Sequence, residues 1–433
     1  MHSSKYSRKQ SNKRKTSNKR KTFNKRKSSN KRKTSNKRKT FNKRKSSNRS
    51  NRNISKSLNK NKPSNKRKQL NKSKTSNEQK LNMMISNLSQ KLHKNIEVCS
   101  VISSFLILYT MIIIYLGSGG NTKKEISNVL NISENDDYLI NQLSEKQKIL
   151  NIHSDNLELQ LSVALLVKSD FKVNTSYKDL LNKLNTQYFQ FSRINEAVKK
   201  TNDFVSKQTN YLVNNIISEK DLSDLTRCLL INVLYFKGKW YKKFDKKNTE
   251  DDIFYVNKDE ITIPFMNINE KFEYFEDNSY QYICLYYKNT DYAMIIILPK
   301  DKKSLNFDFS KKDIFSISFE ENKIKLYLPK FEHRTKIYLK GILSNLGIKD
   351  LFTNKANLNK ISQKEINIDE IIHETVVKVD EDGTEAAAVN VAVMRGKSRS
   401  EDIIFKADHP FYYAIINKPN KLILFNGVFC GNV

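Results

Sequence analysis

The feature that most constrains this chain is the stretch from residue 379 to 400, which does not suit a surface loop. Ordinary connections are shorter and rely on glycine, proline and polar turn residues. This stretch has only two glycines, no proline and a row of alanines. The alternation before it predicts a strand over 371–379, one face of which consists of His373, Thr375, Val377 and Val379. Nothing local decides whether the segment itself is a loop, a helix or a strand.

The small side chains favour entry of this segment into a sheet. Alternate side chains of a strand face the core, and here that face would be Thr384, Ala386, Ala388, Asn390, Ala392 and Met394. Such small groups can slide between two existing strands without forcing them far apart. Gly383 supplies a pivot because glycine adopts backbone angles that other residues avoid. The alternative is a short alanine-rich surface helix capped by Thr384.

A family resemblance favours the sheet-entry alternative. Residues 381–388, Glu-Asp-Gly-Thr-Glu-Ala-Ala-Ala, resemble the reactive-loop hinge of the serpin family. The match extends from about residue 95 to 433, and its motifs occur in family order. The other motifs that resemble the family lie at residues 232–240 with Phe244 and Thr249, and at 328–331, 343–352, 408–411 and 424–427.

The resemblance implies an α+β fold with three β-sheets, about eight or nine helices and an exposed reactive-centre loop at about 381–402. It implies a suicide inhibitor of serine proteases whose cut loop inserts into the main sheet. The implied hinge residues are Glu381, Gly383, Thr384, Glu385, Ala386, Ala387 and Ala388. Sheet opening would be controlled by a structural latch between Asn232 and His373, and by Trp240 where the loop begins to insert.

Family spacing places the reactive bond about fourteen residues beyond Gly383, between Lys397 and Ser398. A cationic side chain at this position fits the acidic specificity pocket of trypsin-like proteases. Arg395 and Arg399 are alternatives because loop length varies, and the three basic residues could also be only a solvated loop tip. Asn390 departs from the usual threonine, and its amide would be buried after insertion at a cost of about 1–3 kcal/mol if unpaired.

Charge divides the 433 residues into two parts. Residues 1–80 hold 32 lysines and arginines against the single acid Glu78, which gives +31 of the total +34. An 18-residue segment at 11–28, built from the unit x-Asn-Lys-Arg-Lys-Ser/Thr, recurs unchanged at 29–46. We therefore predict a disordered basic tail over 1–85 and a serpin domain over 86–433. The tail's charge favours a polyanion such as a heparin-like glycan or nucleic acid, although a repeat without a dedicated ligand explains it equally.

The apolar run at residues 98–116 has two interpretations. Its length could span a bilayer, whereas the resemblance implies the central buried helix of the fold, which we favour. Residues 103–106, Ser-Ser-Phe-Leu, replace the family's Ser-Pro-x-Ser at the start of this helix, and this departure puts fine control of sheet opening in doubt. Elsewhere, patterns predict helices at 137–151 and 176–190, and strands at 157–168, 228–236, 292–298 and 324–328.

The sequence contains no pattern typical of an enzyme. The six histidines are scattered, and no nucleophile motif, phosphate-binding loop or metal-ligand spacing accompanies them. We therefore expect no catalytic residues, no metal and no cofactor. The cysteines lie far apart, which predicts buried free thiols at Cys99, Cys228, Cys284 and Cys430.

Partner and location follow from the resemblance. It implies a monomer that forms a covalent acyl complex with a trypsin-like serine protease. No apolar run follows Met1 within 30 residues, so we expect no conventional signal peptide. A basic residue at the reactive bond, which we call the bait, nevertheless favours an extracellular protein over the intracellular alternative. Two other functions stay open: a non-inhibitory serpin acting as a binding module, and a polyanion binder that works through the tail.

Overall fold

The computed structural model describes residues 64–256, 259–302, 313–383 and 402–431, with side chains from residue 79 onward. All of these belong to one compact unit, Pro63–Val433. This part of the chain contains the α-helices α1 Ser64–His93, α2 Ser104–Gly117, α3 Gly120–Leu130, α4 Asp136–Leu150, α5 Thr175–Lys183, α6 Ile194–Gln208 and α7 Leu339–Asn345.

Its β-strands are β1 Val101–Ile102, β2 Asn151–Ser154, β3 Leu157–Lys168, β4 Gln187–Phe191, β5 Cys228–Gly238, β6 Glu250–Val256, β7 Asp259–Glu276, β8 Tyr280–Tyr286, β9 Tyr292–Pro299, β10 Glu320–Pro329, β11 Phe331–Tyr338, β12 Glu370–Val379, β13 Ile403–Lys406, β14 Phe411–Asn417 and β15 Leu422–Phe429. The predicted α+β class is confirmed. The described residues contain seven α-helices, slightly fewer than the eight or nine expected.

A nine-stranded network contains two of the three expected sheets, joined by one long strand. Its order is β1-β15-β14-β9-β8-β7-β10-β13, with β6 also paired to β7. The 18-residue β7 pairs with β6 and β10 along most of its length and with β8 only through Glu273–Glu276. Because β7 continues from one sheet into the next without a break, the two sheets form one continuous hydrogen-bonded network.

The main sheet has six strands in the order β11-β12-β5-β3-β2, with β4 paired in parallel to β3. At its centre β12 runs parallel to β5, from Glu370 opposite Leu229 to Val377 opposite Phe236. β5 is nearly continuous in apolar residues, and almost every residue of both strands is buried, as expected for strands covered on both faces. Among the described residues no strand lies between β5 and β12, so the centre of the sheet is closed.

Helices cover both faces of this sheet. On one face lies α2, whose residues from Ser104 to Gly117 are all buried, as the core-helix interpretation of residues 98–116 predicts. No described helix is long and apolar enough to cross a membrane. On the other face α6 and the segment after it pack Val205 and Ile216 against a cluster that includes Ile231 of β5 and Val376 of β12.

The first helix changes the expected domain boundary. Leu81, Met84, Ile85, Leu88 and Leu92 of α1 are all buried in the main core cluster. Their spacing is that of one helical face. A boundary predicted from charge misses this face, because lysines surround it in the sequence. The folded domain therefore begins earlier than the boundary at residues 85 and 86 that the charge distribution predicts.

Two further sequence predictions are wrong. Residues 176–190 were predicted as one helix, but the chain leaves α5 at Lys183 and re-enters the main sheet as β4. Cys99 and Cys430 were predicted as free thiols, but they form a disulfide across a sequence separation of 331 residues. Cys228 and Cys284 are free and buried, as predicted.

Candidate functional site

The candidate site begins at the turn that ends β12. Asp380 and Gly383 form an isolated antiparallel bridge, and the N–H of Gly383 donates to the carbonyl of Asp380 at 3.2 Å. Gly383 has a φ of 89°, in the region that favours glycine. A Cβ at this position would lie 2.3 Å from both the carbonyl oxygen of Gly238 and the backbone nitrogen of Trp240. The glycine therefore lets the turn lie directly against the end of β5.

Backbone hydrogen bonds hold this turn to the chain that leaves β5. The N–H of Trp240 donates to the carbonyl of Asp382 at 3.1 Å, and the N–H of Phe244 donates to the carbonyl of Glu381 at 3.1 Å. The indole Nε1–H of Trp240 donates to the carbonyl of Asp380 at 2.9 Å. The indole is 2% exposed and stacks on Tyr287 with ring centroids 4.6 Å apart. Trp240 thus contacts the turn that ends β12, and its role in sheet opening stays a prediction from the resemblance.

Two acidic side chains of the turn are held by cations and a hydroxyl. Glu381 accepts hydrogen bonds from Thr249 Oγ1 at 2.9 Å and from Lys330 Nζ at 3.0 Å. Burial opposes ionisation of Glu381, but hydrogen bonds from its own N–H, Lys330 and Thr249 outweigh burial and lower its pKa. These contacts connect the turn to the chain after β5 and to the end of β10.

Asp382 makes the second set of ionic contacts. Its carboxylate accepts from Lys243 Nζ at 2.6 Å and from Lys246 Nζ at 2.8 Å. Burial raises its pKa, but the hydrogen bonds from these lysines outweigh burial, so the net pKa is lowered. Lys243 and Lys246 come from the segment just past Trp240, so the whole turn is fixed to the exit of β5. We call residues 380–383 with these partners the hinge clamp.

A second polar cluster lies at the closed centre of the sheet. His373 of β12 is opposite Asn232 of β5, and both side chains are 0% exposed. The N–H of Ser103 donates to His373 Nε2 at 3.2 Å, so the ring proton is on Nδ1 and is donated to Asn232 Oδ1. The amide of Asn232 donates to Thr110 Oγ1 of α2 at 2.9 Å. We call these four residues the central latch.

Burial alone lowers the pKa of His373 to about 3, because charge is unfavourable in this enclosed position. The histidine is therefore neutral at physiological pH and works as a hydrogen-bonding bridge between two strands and α2. Its ring nitrogens are both engaged, so it has no nitrogen available to act as a general base. The resemblance implies a structural latch between Asn232 and His373, and the structure places these two side chains in hydrogen-bond contact.

The departure at residues 103–106 still leaves a polar contact beside the latch. Ser103 caps α2, its Oγ accepting from the N–H of Leu106 at 3.2 Å, while its own N–H binds His373. Ser104 Oγ is buried without a partner among the described residues. The serine pair therefore supplies one bond to the latch and leaves one hydroxyl unsatisfied.

The structure also shows an ion pair that the sequence did not indicate. Glu374 of β12 is 0% exposed and binds Arg334 of β11. Burial raises the pKa of Glu374, an effect that Arg334 opposes. Neighbouring residues of a strand face opposite sides, so Glu374 lies on the face away from the latch. Only the pairing of β11 with β12 brings this pair together.

Several predicted site residues lie outside the described part of the chain. These are the hinge residues beyond Gly383, the reactive bond, its alternatives and the altered loop position: Thr384, Glu385, Ala386, Ala387, Ala388, Lys397, Ser398, Arg395, Arg399 and Asn390. The described residues contain no group of three histidine, cysteine or acidic side chains that could hold a metal.

The fold and site define an α+β protein in which a central parallel strand pair ends at a clamped, glycine-containing turn. The family model described as Serpin (serine protease inhibitor) matches residues 74–431. Antitrypsin of Bombyx mori is 31% identical over 346 residues, 76% of this chain and 87% of that protein. An uncharacterized serpin-like protein of Acanthamoeba polyphaga mimivirus is 28% identical over 81% of this chain and 90% of that protein.

Solved structures show the same fold. Serpin48 of the insect Tenebrio molitor superposes with a TM-score of 0.72 at 24% identity, covering 83% of this chain and 98% of that chain. Native protease nexin-1, solved with heparin, superposes with a TM-score of 0.73 at 23% identity, covering 82% and 99%. The chain belongs to the serpin family, whose members are generally protease inhibitors rather than catalytic enzymes.

Proposed function

We propose that this serpin inhibits trypsin-like serine proteases by a suicide-substrate mechanism with loop insertion. The observation that carries the proposal is the hinge clamp, which ends β12 beside the exit of β5. The chain that continues from Gly383 therefore starts at the end of the β5–β12 pair, beside the exit of β5. A segment freed at its far end could fold back at this turn and enter between the two strands as a new antiparallel neighbour of both.

The chemistry begins as ordinary proteolysis. The protease serine attacks the carbonyl carbon of Lys397, and the collapse of the tetrahedral intermediate breaks the amide bond to Ser398. The amine of Ser398 leaves with a proton from the protease histidine, and an ester joins Lys397 to the protease. Insertion of the freed hinge then moves the ester, and the protease attached to it, away from the position at which the loop was cut. Deacylation stalls when the protease's oxyanion hole is distorted and no longer stabilises the transition state.

The hinge composition supports insertion. Ala386, Ala387 and Ala388 offer no bulk to obstruct passage between the strands. Opening the sheet would first break the β5–β12 ladder and the His373 bridge to Asn232, which together form a kinetic barrier that keeps the loop out. Asn390 would oppose insertion, because its amide would become buried, but a loss of about 1–3 kcal/mol is small against a whole strand's hydrogen bonds.

The bait, rather than overall similarity, supports trypsin-like targets. Relatives named Antitrypsin and Antichymotrypsin-2, both of Bombyx mori, are each 31% identical to this chain, so similarity does not distinguish the two specificities. Lys397, and the alternatives Arg395 and Arg399, all carry the positive charge that an acidic specificity pocket selects.

An SDS-stable complex with trypsin tests the proposal. We expect the full-length chain to form such a complex, and Lys397→Glu to abolish it while Arg395→Glu and Arg399→Glu, the matched controls, retain it. After reduction, the released C-terminal fragment should begin at Ser398. Inhibition by Lys397→Glu equal to that of the unaltered protein would show that the bait is misassigned. Clean cleavage of the unaltered protein without any complex would instead identify a non-inhibitory serpin.

A second function is favoured by the tail's net charge of +31 over residues 1–80. We propose that the tail binds polyanions, with heparin and duplex DNA as the probes. Removing Met1–Lys62 leaves the compact unit Pro63–Val433 and the buried face of α1 intact. We expect binding that weakens steeply with salt and is strongly reduced in the truncated chain, which keeps only residues 63–80 of the basic region. Equal binding by the truncated chain would refute a role for the tail.

We further propose that the protein is extracellular. The basic bait suits extracellular protease cascades, and the disulfide between Cys99 and Cys430 is typical of proteins made in oxidising compartments. Mapping the mature N-terminus and recovering the protein from the medium rather than from cell lysate would test this. Recovery only in the lysate would favour the intracellular alternative.

A further inference from the structure

The disulfide joins two parts of the chain that are distant in sequence, where β1 pairs with β15. Cys99 lies two residues before β1 and Cys430 directly follows β15, while β1 and β15 pair through Val101 opposite Gly427. The N–H of Val428 also donates to the carbonyl of Ser100 at 3.1 Å. The covalent bond therefore secures the short segment before α2 to the last strand of the nine-stranded network.

The same segment contacts the two strands β11 and β12 of the main sheet. The Val101 N–H donates to Thr335 Oγ1 of β11 at 2.9 Å, and Thr375 Oγ1 of β12 donates to the Val101 carbonyl at 2.6 Å. His333 Nε2 of β11 donates to the carbonyl of Cys99 at 3.3 Å. Ser103, four residues beyond Cys99, holds His373 in the central latch. Residues 99–103 thus connect the disulfide to β11 and β12.

We propose that the Cys99–Cys430 disulfide is a redox-controlled brace that holds residues 99–103 in place and thereby slows separation of β5 from β12. Reduction frees this segment from β15 and speeds opening. The effect on protease trapping rests on the proposed function, whereas the brace itself does not. A second consequence is that, after cleavage at Lys397, the C-terminal fragment stays covalently attached through Cys430.

The bond forms by exchange with a small or protein disulfide as the oxidant. One cysteine thiolate attacks the oxidant's disulfide, forming a mixed disulfide and releasing one thiol. The second thiolate displaces the other oxidant thiol, so the protein loses two electrons and two protons, and the oxidant gains them. Dithiothreitol reverses the process and becomes a cyclic disulfide. Partly exposed Cys99 is the point of entry for either reagent, whereas Cys430 is buried.

The other two cysteines cannot substitute in this exchange. Cys228 lies in β5 and Cys284 in β8, and both are buried. Burial raises the thiol pKa of both, that of Cys284 to about 12, which leaves little thiolate for attack. A reductant's effect on the folded protein therefore comes from the Cys99–Cys430 bond, and Cys284→Ser provides a matched control.

One measurement tests the cross-link, and a second tests the brace. In the first, the loop is cut by trypsin and the products are separated under denaturing conditions without reductant. We expect the C-terminal fragment to remain attached in the unaltered protein and in Cys284→Ser, and to separate with dithiothreitol or in Cys99→Ser/Cys430→Ser. Separation from the unaltered protein without reductant would refute the cross-link. If trypsin cuts the loop without forming a stable complex, the proposed function fails while this readout still decides the cross-link.

The second measurement is amide hydrogen exchange in peptides from β5 and β12. We expect dithiothreitol to raise exchange at least threefold in the unaltered protein and in Cys284→Ser. The double variant should exchange at the higher rate with or without reductant. Identical exchange in the oxidised and reduced unaltered protein would overturn the proposed brace. An equal rise in amide exchange when the double variant is reduced would also overturn the brace, because that rise could not come from the Cys99–Cys430 bond.

Discussion

Replacing Gly383 with alanine tests whether the hinge clamp contributes to the stability of the native state. A side chain at a φ of 89° costs about 1–2 kcal/mol through backbone strain. Its Cβ would also lie 2.3 Å from two backbone atoms of the β5 exit, which cannot rotate away. Relief requires the turn to move, and this breaks the Trp240 bond to Asp382, worth about 1 kcal/mol. We expect a total destabilisation of about 2–4 kcal/mol.

The assay is urea unfolding at constant pH, followed by the fluorescence of Trp240, the single tryptophan, which lies in the clamp. The matched control is Gly341→Ala in α7, where a Cβ meets nothing within 4 Å and φ is ordinary. This change should raise stability by about 0.5–1 kcal/mol through helix propensity. If Gly383→Ala unfolds at the same urea concentration as the unaltered protein, the close approach of the turn to β5 is wrong.

Two other predictions concern buried ionisable groups. Because the folded pKa of His373 is about 3, the unfolded chain binds a proton that the native state excludes as pH falls below about 6.5. Stability should therefore drop by about 2 kcal/mol from this group between pH 7 and pH 5, and His373→Gln should show a correspondingly shallower pH dependence of unfolding. An unchanged slope would contradict the buried neutral ring. Arg334→Met should destabilise the protein by about 3 kcal/mol, because it leaves the Glu374 carboxylate buried without its partner. The double variant Arg334→Met/Glu374→Gln should recover most of that loss in the same urea assay, and no recovery would refute the coupling.

The sequence predicts those elements whose residue pattern is set by local burial. Strands β3, β5 and β9 are indicated within a residue or two by apolar runs, and β12 by the alternation of its side chains. The hinge and the latch between Asn232 and His373 came from the family resemblance, since neither is visible in periodicity. Gly383 could be singled out because its backbone freedom is a local property.

Contacts between distant segments could not be predicted in this way. β4 is short and partly exposed, and it is a strand only because β3 lies beside it. The Cys99–Cys430 bond joins residues 331 apart, and no spacing rule connects such positions. Similarly, Lys243 and Lys246 look like solvated surface charges in sequence, yet they bind Asp382 because the fold brings the β5 exit to the hinge.

The most direct test of the central claim is the melting temperature before and after cleavage of the loop at Lys397. Insertion of a strand adds about ten backbone hydrogen bonds of about 1 kcal/mol each. At about 2 °C per kcal/mol, the cleaved chain should melt about 20 °C higher than the intact chain. A cleaved chain that melts at the same temperature as the intact chain would contradict a native state poised to gain a strand.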